Sequence, residues 1–382
     1  MVQRSLHKAL LFLLAPIAGV CGLITPGTPQ AIPHSTSVAS TTGVAATSSR
    51  AVAVWADSTG AVWQISSLDG ISWNAGSSSI IATGITTFLE ICKGPLGYGV
   101  IAYIYTTQIQ PYFIFSSDGI SWDMGQIVPV PPNIGNGGAA PSIAGNNQGF
   151  MTTYTLNPSG VILYGYSSFY DGSSWSTATK IDSATIAGES PSVAVYQNTF
   201  VATWVDNTNF NAQSGISTDM GATWSAPSAI TNDNSVNSQV TVSATSKGFL
   251  AAWVDVSGNA QSSFSNDAMT WSSPVQIASD INTSDNTAIG LSGTSDGYIA
   301  AWQDSMNNAY ASFSEDGSSW ADPVQIGTGL DSIDSSIIGV SFFGSKCLFT
   351  WTSGSAPYSN LCQVELPSSS SPHSYKRPSN RR

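Results

Sequence analysis

The stretch Ser66-Ser67-Leu68-Asp69-Gly70-Ile71-Ser72-Trp73 decides the fold, because it returns five more times: SSDGISW (116–122), FYDGSSW (169–175), STDMGATW (217–224), SNDAMTW (265–271) and SEDGSSW (314–320). The tryptophans stand at 73, 122, 175, 224, 271 and 320, with spacings of 49, 53, 49, 47 and 49. That period suits one four-stranded propeller blade. The motif has a physical reading. The Asp carboxylate accepts backbone N–H groups of its own turn, Gly supplies an unusual backbone angle, and Trp folds back over the turn. Ala268 replaces the Gly in the fifth copy, so that turn is expected to differ.

A second repeat counts the blades. AVAVW (51–55), VIAY (100–103), FMTTY (150–154), FVATW (200–204), FLAAW (249–253), YIAAW (298–302) and CLFTW (347–351) end at spacings of 48, 51, 50, 49, 49 and 49. Each alternates apolar and small residues, as a half-buried strand does, and is read as the second strand of a blade. Seven such strands stand against six Asp–Trp turns. The shortfall is made up at the N-terminus. Pro29 precedes Trp55 by 26 residues, as Pro227 precedes Trp253, so Pro29–Ile32 reads as an outer strand lent to the last blade, removing an open edge. The expected fold is all-β, a propeller of seven four-stranded blades, with six blades as the alternative.

Only 9% of the 382 residues are charged and 42% are hydrophobic, which favours short strands and turns over long salt-bridged helices. Between Ala51 and residue 366, four lysines face all 23 acidic residues, a balance of −19. Nucleic acid needs clustered Lys and Arg and is not an expected partner; nor is an anionic membrane surface. Arg4, His7 and Lys8 precede an apolar run from Ala9 to about Ile24, broken by Pro16, which reads as a signal peptide over residues 1–24 and implies a secreted, cell-surface or periplasmic protein with no later membrane segment. Val20 before Cys21 argues against a lipobox. Residues 26–366 form the propeller, and the Ser/Pro-rich basic segment 367–382 is expected to be disordered. Cys92, Cys347 and Cys362 remain after cleavage. Cys347 and Cys362 flank a turn at Gly354–Ser355 and could face each other across a hairpin, bonded or as buried small hydrophobes.

The six turns resemble the Asp box, or BNR repeat, of sialidases and related propellers, and cover nearly the whole mature chain. The resemblance implies that Asp69, Asp118, Asp171, Asp219, Asp267 and Asp316 are structural, on the blade periphery away from the ligand face. It also implies what is missing. Sialidases use three arginines, a Tyr–Glu nucleophile pair and an acid/base Asp. Arg50 is the one arginine between the signal peptide and the tail, and the repeat alignment puts it in a turn on the Asp-box side, with Lys93, Lys247 and Lys346 in the same class of turn. Arg holds a carboxylate in a planar fork and Lys does not, so the arginine triad carries over to no position. Catalytic sialidase domains also have six blades rather than seven.

Histidine is absent between His34 and His373, which excludes a Ser-His-Asp triad and His-containing zinc sites in the core. No cofactor and no metal is expected. Asp280, Asp285 and Asp331–Asp334 are the calcium candidates, and read better as solvated loops. Glu90 and Glu189 lie near the start of inner strands and are weak candidates for a catalytic carboxylate pair. The sharpest binding candidate is a repeated pair: Trp55/Asp57, Trp204/Asp206, Trp253/Asp255 and Trp302/Asp304, where Trp could stack on a sugar and Asp accept its hydroxyls. Against it, these Asp residues open good turns and the Trp residues could pack between blades. The leading reading is a non-catalytic propeller binding glycans or proteins on its ligand face. The alternatives are a sialidase-like glycoside hydrolase using another carboxylate pair and a structural or assembly propeller. The chain is expected to release no sialic acid; turnover of a fluorogenic sialoside, lost on substituting an acidic residue, would contradict this.

Overall fold

The fold follows from a computed structural model, which describes residues 23–34, 36–39, 42–106, 108–132, 141–157, 163–182, 191–206, 208–281, 288–331 and 337–365. Seven antiparallel sheets stand in a ring, each with its first strand innermost. Blade one comprises Gly43–Ala46, Ala51–Ala56, Val62–Ser67 and Ser79–Ala82, and blade two Ile85–Gly94, Gly97–Tyr105, Ile109–Ser116 and Gln126–Ile127. The second strands are Ala51–Ala56, Gly97–Tyr105, Gly149–Leu156, Thr199–Val205, Gly248–Val254, Tyr298–Gln303 and Lys346–Ser353, so the seven aromatic-ended repeats each mark one blade.

Those second strands are buried on both faces, not one. Every residue of Ala51–Ala56 and of Gly248–Val254 is buried. A blade is wedged between two neighbours, so neither of its faces meets water. The alternation of large and small residues is therefore not inside against outside. Val52 and Val54 pack in one cluster, with the inner strand of blade two, while Ala51, Ala53 and Trp55 pack in another.

The ring closes through the N-terminus. Gln30 and Ala31 pair with Ser359 and Tyr358, just as Ser228 and Ala229 pair with Ser214 and Gln213 in blade four. Leu23–Thr25 adds a second pairing, against Gln363–Glu365. The third strand of blade seven, Ala356–Glu365, runs straight on where the other six blades turn, which is why this blade has no Asp–Trp turn. Ile24 and Ile32 are buried, so the closed ring includes Leu23 and Ile24, which the sequence reading placed in the segment 1–24.

The repeated turns have the geometry expected of them. Asp69 Oδ1 accepts the N–H groups of Ile71 and Ser72 at 2.8 and 2.6 Å, and Asp118, Asp171, Asp267 and Asp316 repeat the pattern. Asp219, in the one turn with an extra residue, accepts the N–H of Thr223. The fifth turn keeps the carboxylate pattern and differs at its serine: Ser265 donates to the Thr270 carbonyl, where Ser67, Ser116, Ser217 and Ser314 accept the N–H of the turn glycine. Ala268 takes φ 56° where Gly70, Gly119 and Gly317 take 72–74°, and Asp267 accepts the usual two N–H groups. A side chain in this left-handed region is strained, but the carboxylate and the packing of the buried methyl hold it there.

Gly354 and Ser355 both have positive φ, 58° and 60°, the two-residue hairpin turn that matches strand twist. It sets Cys347 directly opposite Cys362. Both are thiols, and burial pushes the Cys347 pKa well above the ordinary value and that of Cys362 up to about 11. Among the described residues no helix is long and apolar enough to cross a membrane. Removing residues 23–32 is expected to lower stability by about 3–6 kcal/mol, from the burial of Ile24 and Ile32 alone, and thermal melting of the shortened chain checks it. An unchanged midpoint would show that the ring does not depend on this strand.

Candidate functional site

The four Trp–Asp pairs are not a binding surface. Trp55 and Trp253 have no accessible surface, Trp204 retains 1% and Trp302 2%, so none offers a ring face to a sugar. They fill the space between sheets, and Trp302 stacks on Tyr310 across its own hairpin. The partner aspartates are consumed by their turns. Asp57 accepts the N–H groups of Thr59 and Ala61, the Thr59 hydroxyl and the Trp63 indole. Burial alone would raise its pKa, yet the hydrogen bonds from Thr59, Trp63 and Ala61 hold it far below the usual carboxylate range. Asp255 is bonded to Ser257, Asn259 and Gln261, Asp304 to Met306 and Asn308, and Asp206 to Thr208, Asn209 and Asn211. The backbones of Asp57, Asp255 and Asp304 also bridge to the segments holding Val38, Val236 and Ile281.

The other candidates separate as clearly. Arg50 sits in the turn before the second strand of blade one and donates to Ser66 Oγ at 3.1 Å. Lys247 Nζ donates to the carbonyls of Asp296 and Glu315, the latter beside the sixth Asp–Trp turn; this family of turns therefore does lie on the side of the Asp–Trp turns. Asp280 accepts the Ser305 hydroxyl, and Asp331 accepts the N–H groups of Gly354 and Ser355. Asp285, Asp334 and Glu189 lie outside the described residues.

Two places on the ring remain chemically open. The first is the groove between blades one and two, on the turn side. Two adjoining cavities of about 390 and 310 Å³ meet at Ile120. One is lined by Arg50, Asp69 and Asn74, the other by Ile80, Trp122 and Met124. In four blades the turn tryptophan crosses to the preceding blade and donates its indole N–H to a serine: Trp73 to Ser359, Trp224 to Ser167, Trp271 to Ser214 and Trp320 to Ser262, at 2.8–3.0 Å. Each serine pairs with the residue just before the strand-ending aromatic. In blade one that place belongs to Gln64, and in blade two the turn tryptophan of blade three meets the Phe113 ring. The indole N–H groups of Trp122 and Trp175 are accordingly buried with no acceptor. Trp175 packs against Phe113 and Tyr170. Both tryptophans keep part of their surface accessible, and Trp122 lines the groove. The groove rim carries exposed apolar side chains, Leu68 at 68% and Met124 at 91%. The reading of the turn tryptophans as staples did not single out this groove; the departure from serine at Gln64 was the available signal.

The second place is the central channel, a cavity of about 140 Å³ lined by residues from all seven inner strands or the segments leading into them. Glu90 lines it. Glu90 accepts hydrogen bonds from the Ser142 hydroxyl and the Ile143 N–H, and burial pushes its pKa up to about 8 although some of its surface meets the cavity. Among the described residues, no second carboxylate lines the cavity, so the carboxylate pair expected of a glycosidase is not assembled from them.

No family model and no curated protein matches the chain. Solved structures do match its fold. The BP39L lectin of Burkholderia pseudomallei superposes with a TM-score of 0.65 at 13% identity, covering 86% of this chain and 96% of the lectin. The fucose-recognising lectin of the fungus Aleuria aurantia, a six-bladed propeller, gives 0.54 at 13% identity, covering 79% and 99%. A Hadza microbial sialidase gives 0.49 at 12% identity and covers 65% of that chain. At these identities the likeness is one of architecture.

Glu90 makes a pH prediction. An unfolded Glu loses its proton near 4.5 and this one near 8, so between those values the folded chain holds a proton that the unfolded chain has lost. Stability therefore falls as pH rises through that window, by up to about 1.4 kcal/mol per unit. Glu90→Gln is expected to remove the slope: it melts with the parent at pH 4 and above it at pH 8. Parallel melting curves for the two proteins across this range would contradict the assignment.

Proposed function

We propose that the chain is a carbohydrate-binding propeller whose sugar site is the groove between blades one and two. The observation that carries this reading is Trp122, whose indole keeps part of its surface accessible on the groove wall. A sugar offers the complement, an apolar C–H face for the ring. Arg50 and Asn74 add donors along the same groove, and 310–390 Å³ is room for a mono- or disaccharide. The lectin neighbours support the reading only by showing that such rings serve as glycan scaffolds. The six Asp–Trp turns support placing the chain in the Asp-box superfamily, without the sialidase arginines. The charged and apolar N-terminus supports export.

A glycan array probed with the exported chain tests the proposal. Binding to a defined set of glycans is expected, weakened about twofold to tenfold in Trp122→Ala, the range for losing one aromatic contact. Trp253→Ala is expected instead to cost about 3–5 kcal/mol of stability, the usual penalty for truncating a buried Trp. If Trp122→Ala leaves binding intact while melting normally, the groove is not the site.

A further inference from the structure

Glu90 sits on the inner strand of blade two and faces blade three. It accepts the Ile143 N–H there, as Ser142 accepts the Val193 N–H and Ser192 the Val242 N–H in the next two blades. The cavity that it lines is walled largely by aliphatic side chains, among them Val44, Val193, Val242, Leu291 and Val340. Among the described residues blade two alone puts a carboxyl on that wall, and there alone the inner strand is irregular: its register shifts between Ile85 and Leu89, and Phe88 is held at φ 47°. Phe88 lines the same cavity. Non-glycine residues persist in this region of φ only where their surroundings hold them there, often at ligand sites.

The partners of Glu90 fit a carboxylate rather than a carboxylic acid. Ile143 can only donate through its N–H. Ser142 Oγ already accepts the Val193 N–H at 3.1 Å, so its own proton is free to point at Glu90. Both neighbours are thus donors aimed at the carboxyl oxygens, and an ionised carboxyl has lone pairs for two more. Yet no lysine or arginine is among the groups that act on it. Lys93, the nearest in sequence, bonds the Gly94 carbonyl and lies over the Tyr98 ring instead. A buried carboxylate without a counter-charge is costly. The site has the donors for an anion and lacks the cation that would make the anion stable.

We propose that the central channel is a second binding site, distinct from the blade groove, for a small organic ammonium whose short apolar body packs on the aliphatic wall and whose N–H donors meet Glu90. The volume, about 140 Å³, is close to the roughly 150 Å³ of an apolar cavity that takes up benzene, so the occupant has about five to eight heavy atoms. Phe88 adds an aromatic wall that suits a cation. With four lysines against 23 acidic residues between Ala51 and residue 366, the field around the ring concentrates cations and repels anions.

The test is calorimetry on the whole exported chain with n-butylammonium, against n-butanol and n-butyrate as carriers of the same tail. The ammonium is expected to bind at least about tenfold more tightly than the alcohol, a difference of roughly 1.4 kcal/mol, and butyrate not at all. Repeating the titration at pH 6.5 in two buffers of different ionisation enthalpy is expected to show nearly one proton released per ammonium bound, because Glu90 gives up its proton on pairing. Glu90→Gln is expected to lower ammonium binding to the level of the alcohol while leaving glycan-array binding unchanged. Ammonium binding no tighter than butanol, binding without proton release, or binding that survives in Glu90→Gln would each overturn the proposal. The proton-release measurement uses only the parent protein, so it stands even if the variant folds poorly.

Discussion

The structure depends on closing the ring. A blade has a large apolar face on each side of its sheet, and each face is covered only by the next blade. Seven blades in a closed circle leave no such face open; an open series would leave two. The device that secures closure is a set of backbone hydrogen bonds between the two ends of the chain: Gln30–Ala31 and Leu23–Thr25 laid against the strand Ala356–Glu365. Ile24 joins the cluster around Phe349 and Trp351, and Ile32 the cluster around Trp55 and Leu348. The last blade is thereby a composite sheet of segments from both ends of the described chain, and loop-closure entropy is met once for the whole ring.

Given closure, the roles of the aromatic residues follow. A tryptophan at the end of a second strand lies in the middle of the wedge, where neighbours cover both faces, and so it packs. A tryptophan in a peripheral turn lies at the rim, where the wedge widens, and keeps some accessible surface. Chemical opportunity therefore sits with the rim residues and with the channel wall, and not with the Trp–Asp pairs that the repeat pattern made conspicuous. The two open places have one feature in common. Each is a position where blade one or blade two departs from what other blades do: Gln64 in place of the serine that receives an indole, and Glu90 in place of the serine that receives an inner-strand N–H. Repetition sets the scaffold, and the exceptions to it mark the open places.

Much was legible from residues alone because the fold is periodic. The 49-residue spacing, the seven aromatic-ended strands and the echo between Pro29 and Pro227 are local or repeated signals, and each specified an element or its place in the ring. The pairing of Cys347 with Cys362 was readable for the same reason, since a two-residue turn at Gly354–Ser355 fixes its register. The carboxylate-capped turns were readable because every partner of Asp69 lies within three residues of it.

Burial and partnership between blades were not readable, because they join residues about fifty positions apart. The sequence by itself pointed to seven blades with six as the alternative, and specified the turn chemistry and the strand that closes the circle, all of which rest on local hydrogen bonding and on repetition. Only the tertiary structure decided that Trp55, Trp204, Trp253 and Trp302 are enclosed while Trp122 is not, and that Glu90 meets Ser142 and Ile143 on a largely aliphatic channel wall. The physical reason is that a side chain's solvent and its hydrogen-bond partners here belong to the neighbouring blade, and the neighbour is positioned by closure of the ring rather than by the residues on either side in the chain.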